Sequence, residues 1–118
     1  MSREKKLDAL AKKLCFALAG GKCRVCGYPA DDAHHLIRSR AKQVRWEPDN
    51  LFAVCRRCHT HIHSNCGHND ELRLLGVSAE EYEGLRQESL RLSVGADRVD
   101  LDEVKRELKT RIKEGKWH

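Results

Sequence analysis

Leucines recur at helical spacing over the first twenty positions of the chain. They predict a helix over about residues 3–19 with one apolar face, formed by Leu7, Leu10, Leu14 and Leu18. Gly20 and Gly21 then supply a stop. Cys15 lies beside the apolar stripe, and we interpret it as a small buried hydrophobe rather than a ligand.

Short apolar segments and cysteine pairs alternate in the middle of the chain. Residues 33–37 and Leu51–Val54 are predicted to be extended, with a polar loop over residues 38–49 between them. A polar helical stretch begins at Cys55. The predicted order is therefore cysteine knuckle, strand, loop, strand, cysteine knuckle and helix.

The last third of the chain is predicted to be helical. Ser78 with Glu81 resembles a capping box that opens a helix reaching about residue 92. Asp100 with Glu103 resembles a second one, opening a helix that reaches about Lys113. The whole pattern predicts a small α+β fold.

The composition indicates that burial of apolar side chains alone does not stabilise this fold. The chain has 118 residues, enough for one compact unit, but only 5% are aromatic while 35% are charged. The charged N-terminal stretch has no secretory signal, so we expect a reducing, cytoplasmic compartment, in a bacterium or a phage-infected host. No apolar run is long enough to predict a membrane span.

Two Cys-x-x-Cys pairs, Cys23 with Cys26 and Cys55 with Cys58, predict a zinc site. Four thiolates satisfy a tetrahedral Zn²⁺ and leave no open position, so the site is expected to be structural. A redox role is disfavoured, because each pair has a partner pair and neither opens an evident βαβ unit.

Four histidines form a second constellation. His59 and His63 are four residues apart on the predicted helix and can direct two imidazoles at one ion. Neighbours in a strand point to opposite sides, so one of His34 and His35 can join that ion while the other stays close by. Three nitrogen ligands would leave open positions, which is typical of a catalytic metal.

Positive charge is concentrated where the cysteines and histidines lie. Residues 1–69 hold 13 Lys/Arg against 6 Asp/Glu, whereas residues 70–118 hold 10 against 12. This distribution fits either contact with a polyanion such as nucleic acid or a solvated basic face. The candidate DNA-binding residues are Arg38, Arg40, Lys42, Arg45, Arg56 and Arg57. Trp46, in the same loop, is expected to pack rather than stack on a base.

The order of these motifs resembles the HNH, or ββα-metal, endonucleases. The resemblance runs from Cys23 to His63, about a third of the chain, through DAHHLI at 32–37, Asn50-Leu51 and CRRCH at 55–59. It implies an N-terminal helix at 1–21, a zinc-stapled ββα-metal nuclease core at 22–69 and a C-terminal helical extension at 70–118.

The resemblance also implies a role for each motif residue. His34, His59 and His63 would bind the catalytic metal, His35 would be the general base, and Asn50 would tie the loop back and orient that base. His35 would take a proton from water, which attacks the phosphorus, leaving 5′-phosphate and 3′-hydroxyl ends. One common form of the motif has Asp where this chain has His34. An all-imidazole set suits Zn²⁺, Ni²⁺, Mn²⁺ or Co²⁺ better than Mg²⁺.

These patterns predict a metal-dependent DNA endonuclease, acting as a monomer or a homodimer. The alternative is a non-catalytic zinc module that binds nucleic acid, which would need the knuckles and arginines but not the four motif residues His35, Asn50, His59 and His63. A looser resemblance to phage NinG-type recombination proteins runs from Arg45 into the segment at 72–85 and implies a phage or prophage origin. We expect His61, Cys66 and His68 to be surface or local packing residues.

Overall fold

The computed structural model describes residues 2–38, 42–91 and 100–114. It has the predicted mixed α+β character, with one two-stranded antiparallel sheet and helices around it. In chain order the elements are α1 (Arg3–Leu18), β1 (Asp32–His35), α2 (Lys42–Arg45), a 3₁₀ turn (Pro48–Asn50), β2 (Leu51–Val54), α3 (Arg56–Asn65), α4 (His68–Leu75), α5 (Ala79–Arg91) and α6 (Leu101–Glu114).

Helix α1 confirms the predicted helix and its apolar face at Leu7, Leu10 and Leu14, whereas Leu18, at the end of the helix, is exposed. The Ser2 side chain caps its first turn by accepting a hydrogen bond from the backbone N–H of Lys5. Gly20 and Gly21 both have positive φ, 65° and 76°, in the left-handed region that glycine tolerates, so the chain turns away there. Cys15 is buried, as predicted.

The sheet separates two apolar clusters because successive side chains of a strand point to opposite faces. Leu51 and Ala53 of β2 face the first cluster, whereas Phe52 and Val54 face the second. The buried members of the first cluster are Leu7, Ala11, Leu14, Cys15, Trp46, Leu51, Ala53 and Leu108. Those of the second are Cys23, Leu36, Val54, Cys55, Ile62, Leu72 and Leu75.

Strand β1 pairs with β2 so that His34 is opposite Phe52 and His35 is opposite Leu51. Alternation along β1 therefore places His34 on the side of the second cluster, against α3, and His35 on the side of the first. The two adjacent histidines therefore face in different directions.

The described part of the segment between the strands, predicted as a polar loop, contains helical turns. It contains α2 and the 3₁₀ turn, and β1 ends at His35 rather than at residue 37. The physical reason is Asn50, whose side chain takes up the backbone N–H and C=O of Ile37 and so removes this residue from strand pairing.

The C-terminal helices begin where the caps predict. Ser78 and Glu81 form a reciprocal capping box at the start of α5, and Asp100 accepts hydrogen bonds from the first turn of α6. Helix α6 packs against α1 through Leu108. Among the described helices, none combines the length and the apolarity needed to cross a membrane.

Candidate metal centres and active site

The four paired cysteines converge at the start of α3. Cys23 and Cys26 lie in the turn after α1, Cys55 is the N-cap of α3, and Cys58 lies in its first turn. Their sulfur atoms all lie within 4.8 Å of one another, and the Cys26 and Cys55 sulfurs are 3.6 Å apart. Four thiols in this arrangement can hold a tetrahedral zinc ion.

The electrostatics of the cluster are those of crowded sulfur ligands. Burial opposes ionisation of Cys23, but hydrogen bonds with the backbone of Cys26, Cys55 and Val25 outweigh it and lower the pKa of this thiol to about 6. Burial raises the pKa of the Cys58 thiol, and its three neighbouring thiols add to that rise. The pKa values of neighbouring thiols are thus shifted in opposite directions. All four thiols would lose their protons on binding a cation as thiolates.

Three histidines form the second cluster. His34 from β1 meets His59 and His63 from α3, and one nitrogen of each ring lies within 4.8 Å of the others. The Nε2 atoms of His59 and His63 are 3.0 Å apart, because residues at i and i+4 share a helix face. The sequence-predicted trio is therefore brought together, and its donor set fits a divalent ion with open positions.

A carboxylate lies next to two of these three rings. Asp32 Oδ2 is 3.4 Å from Nδ1 of His59, whose Nε2 faces the cluster. Glu71 Oε2 is 2.6 Å from Nε2 of His34. Burial lowers the pKa of His34, although the Glu71 carboxylate opposes the shift. Sequence reasoning missed Glu71, since no local pattern connects it to a histidine 37 positions earlier.

His35 faces away from the three-histidine cluster. Its Nε2 is 2.9 Å from the backbone carbonyl oxygen of Arg45. A carbonyl oxygen only accepts, so Nε2 carries the proton and Nδ1 keeps the lone pair. Burial lowers the pKa of His35, against smaller opposing effects of the Arg45 carbonyl and the Asp8 carboxylate. Both effects of its surroundings, a fixed tautomer and a neutral ring, suit a proton acceptor.

Asn50 is fully buried and connects both ends of the inter-strand segment. Its Oδ1 accepts from the backbone N–H of Ile37 at 2.7 Å, and its Nδ2 donates to the carbonyl oxygens of Ile37 and Val44, each at 3.0 Å. Because Val44 directly precedes Arg45, these bonds hold the carbonyl that accepts from His35. The predicted tie of the loop is thus present in the geometry.

Arg45 has a different environment from the other candidate DNA-binding residues. Its guanidinium donates two hydrogen bonds to Asp8 of α1, at 2.7 and 3.0 Å, and Trp46 Nε1 donates to the same carboxylate at 2.8 Å. This pairing lowers the pKa of Asp8 even though burial opposes it. Trp46 is buried and packs, as predicted. Arg45 therefore fastens the inter-strand segment to α1.

The structure describes the side chains of three of the five remaining candidate DNA-binding residues. Arg38, Arg56 and Arg57 are exposed, and Arg57 lies 5.8 Å from the ring centroid of the exposed Tyr28. Arg40 and the side chain of Lys42 lie outside the described residues. Three exposed guanidinium groups are thus available to a polyanion near the two clusters along the chain.

The other ligand-type residues of this region pack locally. His61 is exposed, with its Nδ1 3.4 Å from the amide nitrogen of Asn65. The ring of His68 lies edge-on to Tyr82 with centroids 4.4 Å apart, and Cys66 is half-buried. Neither metal-type cluster found among the described residues includes them.

A cleft of about 620 Å³ lies away from this chemistry, between α1, β2 and α5. None of the motif histidines or paired cysteines lines it. Four carboxylates do, from Glu47, Asp49, Glu81 and Glu88, with Arg24 as the basic residue. A cleft with this charge disfavours a polyanion. Of the motif histidines, His63 is exposed, His35 and His59 are half-buried and His34 is buried, so the site is open to solvent only at the side of α3.

Comparison with known protein families gives one match. The HNH endonuclease family model matches residues 23–65, a segment that contains both cysteine pairs, the three-histidine cluster, His35 and Asn50. No curated protein and no solved structure matches the chain. Residues 23–65 of this chain are thus similar to the HNH endonuclease family, and this segment contains a Cys₄ cluster that could hold zinc.

Proposed function

We propose that this protein is a metal-dependent DNA endonuclease that hydrolyses phosphodiester bonds. The observation that carries the proposal is that the two adjacent histidines of β1 have different surroundings. His34 joins His59 and His63 in a cluster suited to a divalent ion, while His35 faces away with its tautomer set by the Arg45 carbonyl. A module that only bound nucleic acid would have no use for this second arrangement.

In the proposed reaction, His35 is the general base. Its Nδ1 accepts a proton from a water molecule, whose oxygen forms a bond to phosphorus as the bond to the 3′ oxygen breaks. The departing oxygen takes a proton from solvent and becomes the 3′-hydroxyl. The imidazole ring is held for this step by its Nε2–H bond to the Arg45 carbonyl, which Asn50 in turn positions. A divalent ion held by His34, His59 and His63 would supply charge stabilisation for the phosphate and the departing oxygen.

The Cys₄ cluster is proposed to hold a structural zinc ion. Its four sulfurs come from the turn before β1 and from the start of α3, so a closed zinc site would fix α3 against the strands. That placement determines where His59 and His63 meet His34. The zinc is thus a scaffold for the catalytic centre, without an open position of its own.

DNA is the proposed substrate because exposed positive charge accompanies the site. We assign backbone contacts to Arg38, Arg56 and Arg57, together with Arg40 and Lys42. Guanidinium groups bind phosphate oxygens in a bidentate way and position a duplex without reading its sequence. Arg45 leaves this set, because its Nε and Nη2 donate to Asp8 and its Nη1 lies 3.9 Å from a carboxylate oxygen of Glu4.

The biological setting is proposed from sequence alone. A phage or prophage origin, a role in recombination, a cytoplasmic location and a monomeric or homodimeric state remain predictions. One active site per chain favours nicking, and two cuts would require either a dimer or two successive encounters.

A supercoiled-plasmid assay tests the proposal. The full chain is incubated with plasmid and with Mn²⁺, Ni²⁺, Co²⁺, Zn²⁺ or Mg²⁺, and nicked and linear products are quantified. We expect cleavage with at least one of these metals and none with excess chelator.

Two histidine substitutions on the same helix provide a matched pair. His59→Ala removes one of three metal ligands and should cut at least about 100-fold more slowly, since metal stabilisation is worth several kcal/mol. His61→Ala, at an exposed position outside the cluster, should cut at the wild-type rate. Metal-independent cleavage, or equal rates for both variants, would leave only the zinc-module alternative.

A further inference from the structure

Helix α4 brings a carboxylate to the metal cluster from outside the matched family segment. Glu71 lies in α4, six positions beyond the last matched residue, and its Oε2 is 2.6 Å from Nε2 of His34. Both side chains are shielded from solvent, His34 being 3% exposed and Glu71 18%. A contact this short and this buried is worth more than a surface ion pair.

The contact determines which nitrogen of His34 can bind a metal. An ionised carboxylate only accepts hydrogen bonds, so the Nε2–H of a neutral His34 ring donates a hydrogen bond to Glu71. The lone pair then resides on Nδ1, which is left to join His59 and His63. Among the described residues, Glu71 is not grouped with the three histidines, so its carboxylate oxygens do not lie within 4.8 Å of a ligand nitrogen of all three rings.

Packing and a hydrogen bond to the cysteine turn fix the position of helix α4, and therefore of Glu71. Leu72 and Leu75 are buried in the second cluster. The helix ends at Gly76 in the left-handed conformation, and Arg24 Nε donates to the carbonyl oxygen of Leu75 at 2.9 Å. Since Arg24 lies between Cys23 and Cys26, this bond connects α4 to the zinc knuckle.

We propose that Glu71 is a positioning residue for the metal centre, which fixes the tautomer and the orientation of His34 and makes α4 part of the site. The proposal rests on the proposed function, since it takes His34, His59 and His63 as metal ligands. A carboxylate behind a histidine ligand orients the ring and raises the basicity of the ligating nitrogen. Glu71 therefore acts through His34 and touches neither the ion nor the substrate.

Metal affinity measured without DNA tests the inference. The full chain, carrying one zinc, is titrated with Co²⁺, and binding at the histidine site is followed by its visible absorption. Loss of an outer-shell carboxylate typically costs 10–100-fold in metal affinity, so Glu71→Ala should weaken Co²⁺ binding by about that factor. Zinc content should stay at one per chain, which shows that the knuckle is intact.

Two further variants separate positioning from a general effect on α4. Glu71→Gln keeps an oxygen that accepts from Nε2 but removes the charge, so its affinity should fall between those of Glu71→Ala and the wild type. Its Co²⁺ spectrum should keep the wild-type shape, because the ligands are unchanged. Asp70→Ala, the matched control, removes an exposed carboxylate that pairs with Arg73 on the same helix and should leave the affinity unchanged.

The outcomes for the two proposals differ. Wild-type protein that binds no ion beyond the first zinc would contradict the proposed function itself. Wild-type binding with undiminished affinity in Glu71→Ala would overturn the role of Glu71 alone. An altered Co²⁺ spectrum in Glu71→Gln would also overturn it, since that result would make Glu71 a direct ligand.

Discussion

Asn50 shows how one buried side chain can organise the segment between the two strands. Its amide makes three hydrogen bonds to backbone groups at both ends of the inter-strand segment, and it has no exposed surface. Polar groups buried without such partners carry a desolvation cost, so the amide and the backbone atoms depend on one another. The same residue thus stabilises the fold and holds the carbonyl that orients His35.

Replacing Asn50 by alanine should destabilise the protein through its backbone partners. Asn50→Ala removes the hydrogen bonds that its side chain makes to the N–H and the carbonyl oxygen of Ile37, and one unsatisfied buried group costs about 1–3 kcal/mol. The Val44 carbonyl oxygen keeps its hydrogen bond from the backbone N–H of Glu47. We expect the free energy of unfolding, measured by urea titration, to fall by at least that amount. Asn65→Ala, at an exposed position, should change it by less than about 0.5 kcal/mol. Equal stabilities of the two variants would refute the role of Asn50.

The sequence predicts those site residues whose geometry is local. Adjacent histidines in a strand and histidines four apart on a helix have fixed relative directions, so the trio of His34, His59 and His63 follows from periodicity together with the family resemblance. Glu71 and the Asp8 partner of Arg45 could not be predicted in this way. Each is 37 positions from its partner along the chain, and such distances are closed only by the packing of α4 and α1.

At the scale of elements, the two strands and α3 are positioned by their ends. Cys55 follows the last residue of β2 and caps α3, accepting a hydrogen bond from the backbone N–H of Cys58. A zinc ion bound there would join the end of strand β2 to the start of helix α3. Element order and the caps of α5 were predictable because capping residues and cysteine pairs are local signals.

Helix α2 was not predicted, and α4 was predicted only as part of a helical region without bounds. Helix α2 has four residues, too few for a periodic pattern, and it is held by the Asn50 bond to Val44 rather than by its own propensity. Helix α4 follows α3 after only two residues, at positions 66 and 67. The sequence there indicates helix in general but gives no boundary.

Removing a knuckle cysteine should release zinc and unfold this part of the chain. Cys55→Ser takes away one of four sulfur ligands, and metal binding contributes directly to folding in such sites. We expect zinc content to fall from about one per chain and the midpoint of thermal unfolding to drop by more than about 10 °C, since 1 kcal/mol corresponds to about 4–8 °C in a domain of this size. Cys66→Ser, outside the cluster, should keep both values. A zinc-free Cys55→Ser protein with the wild-type melt would contradict the structural site.

At the scale of the whole molecule, the two faces of the sheet have separate tasks. The first cluster joins α1, α6 and Trp46 beneath His35, whereas the second joins α3, α4 and the knuckle beneath His34. Each face thus supports one of the two roles that we propose for the adjacent histidines, and strand β1 keeps the two side chains on opposite faces. Charge is also unevenly distributed. The excess of Lys/Arg lies in residues 1–69 of the sequence, whereas the cleft between α1, β2 and α5 is lined mainly by carboxylates among its charged residues.

The central claim is that His35 moves a proton while the neighbouring histidine binds metal. It is tested most directly by measuring single-turnover plasmid cleavage, metal content and DNA binding on His35→Ala. A positioned general base is worth about 10²–10⁴ in rate, so cleavage should fall by roughly that factor while metal content and DNA affinity stay at wild-type values. Excess Mn²⁺ or Ni²⁺ should not restore the rate. Cleavage by His35→Ala at the wild-type rate would contradict the account.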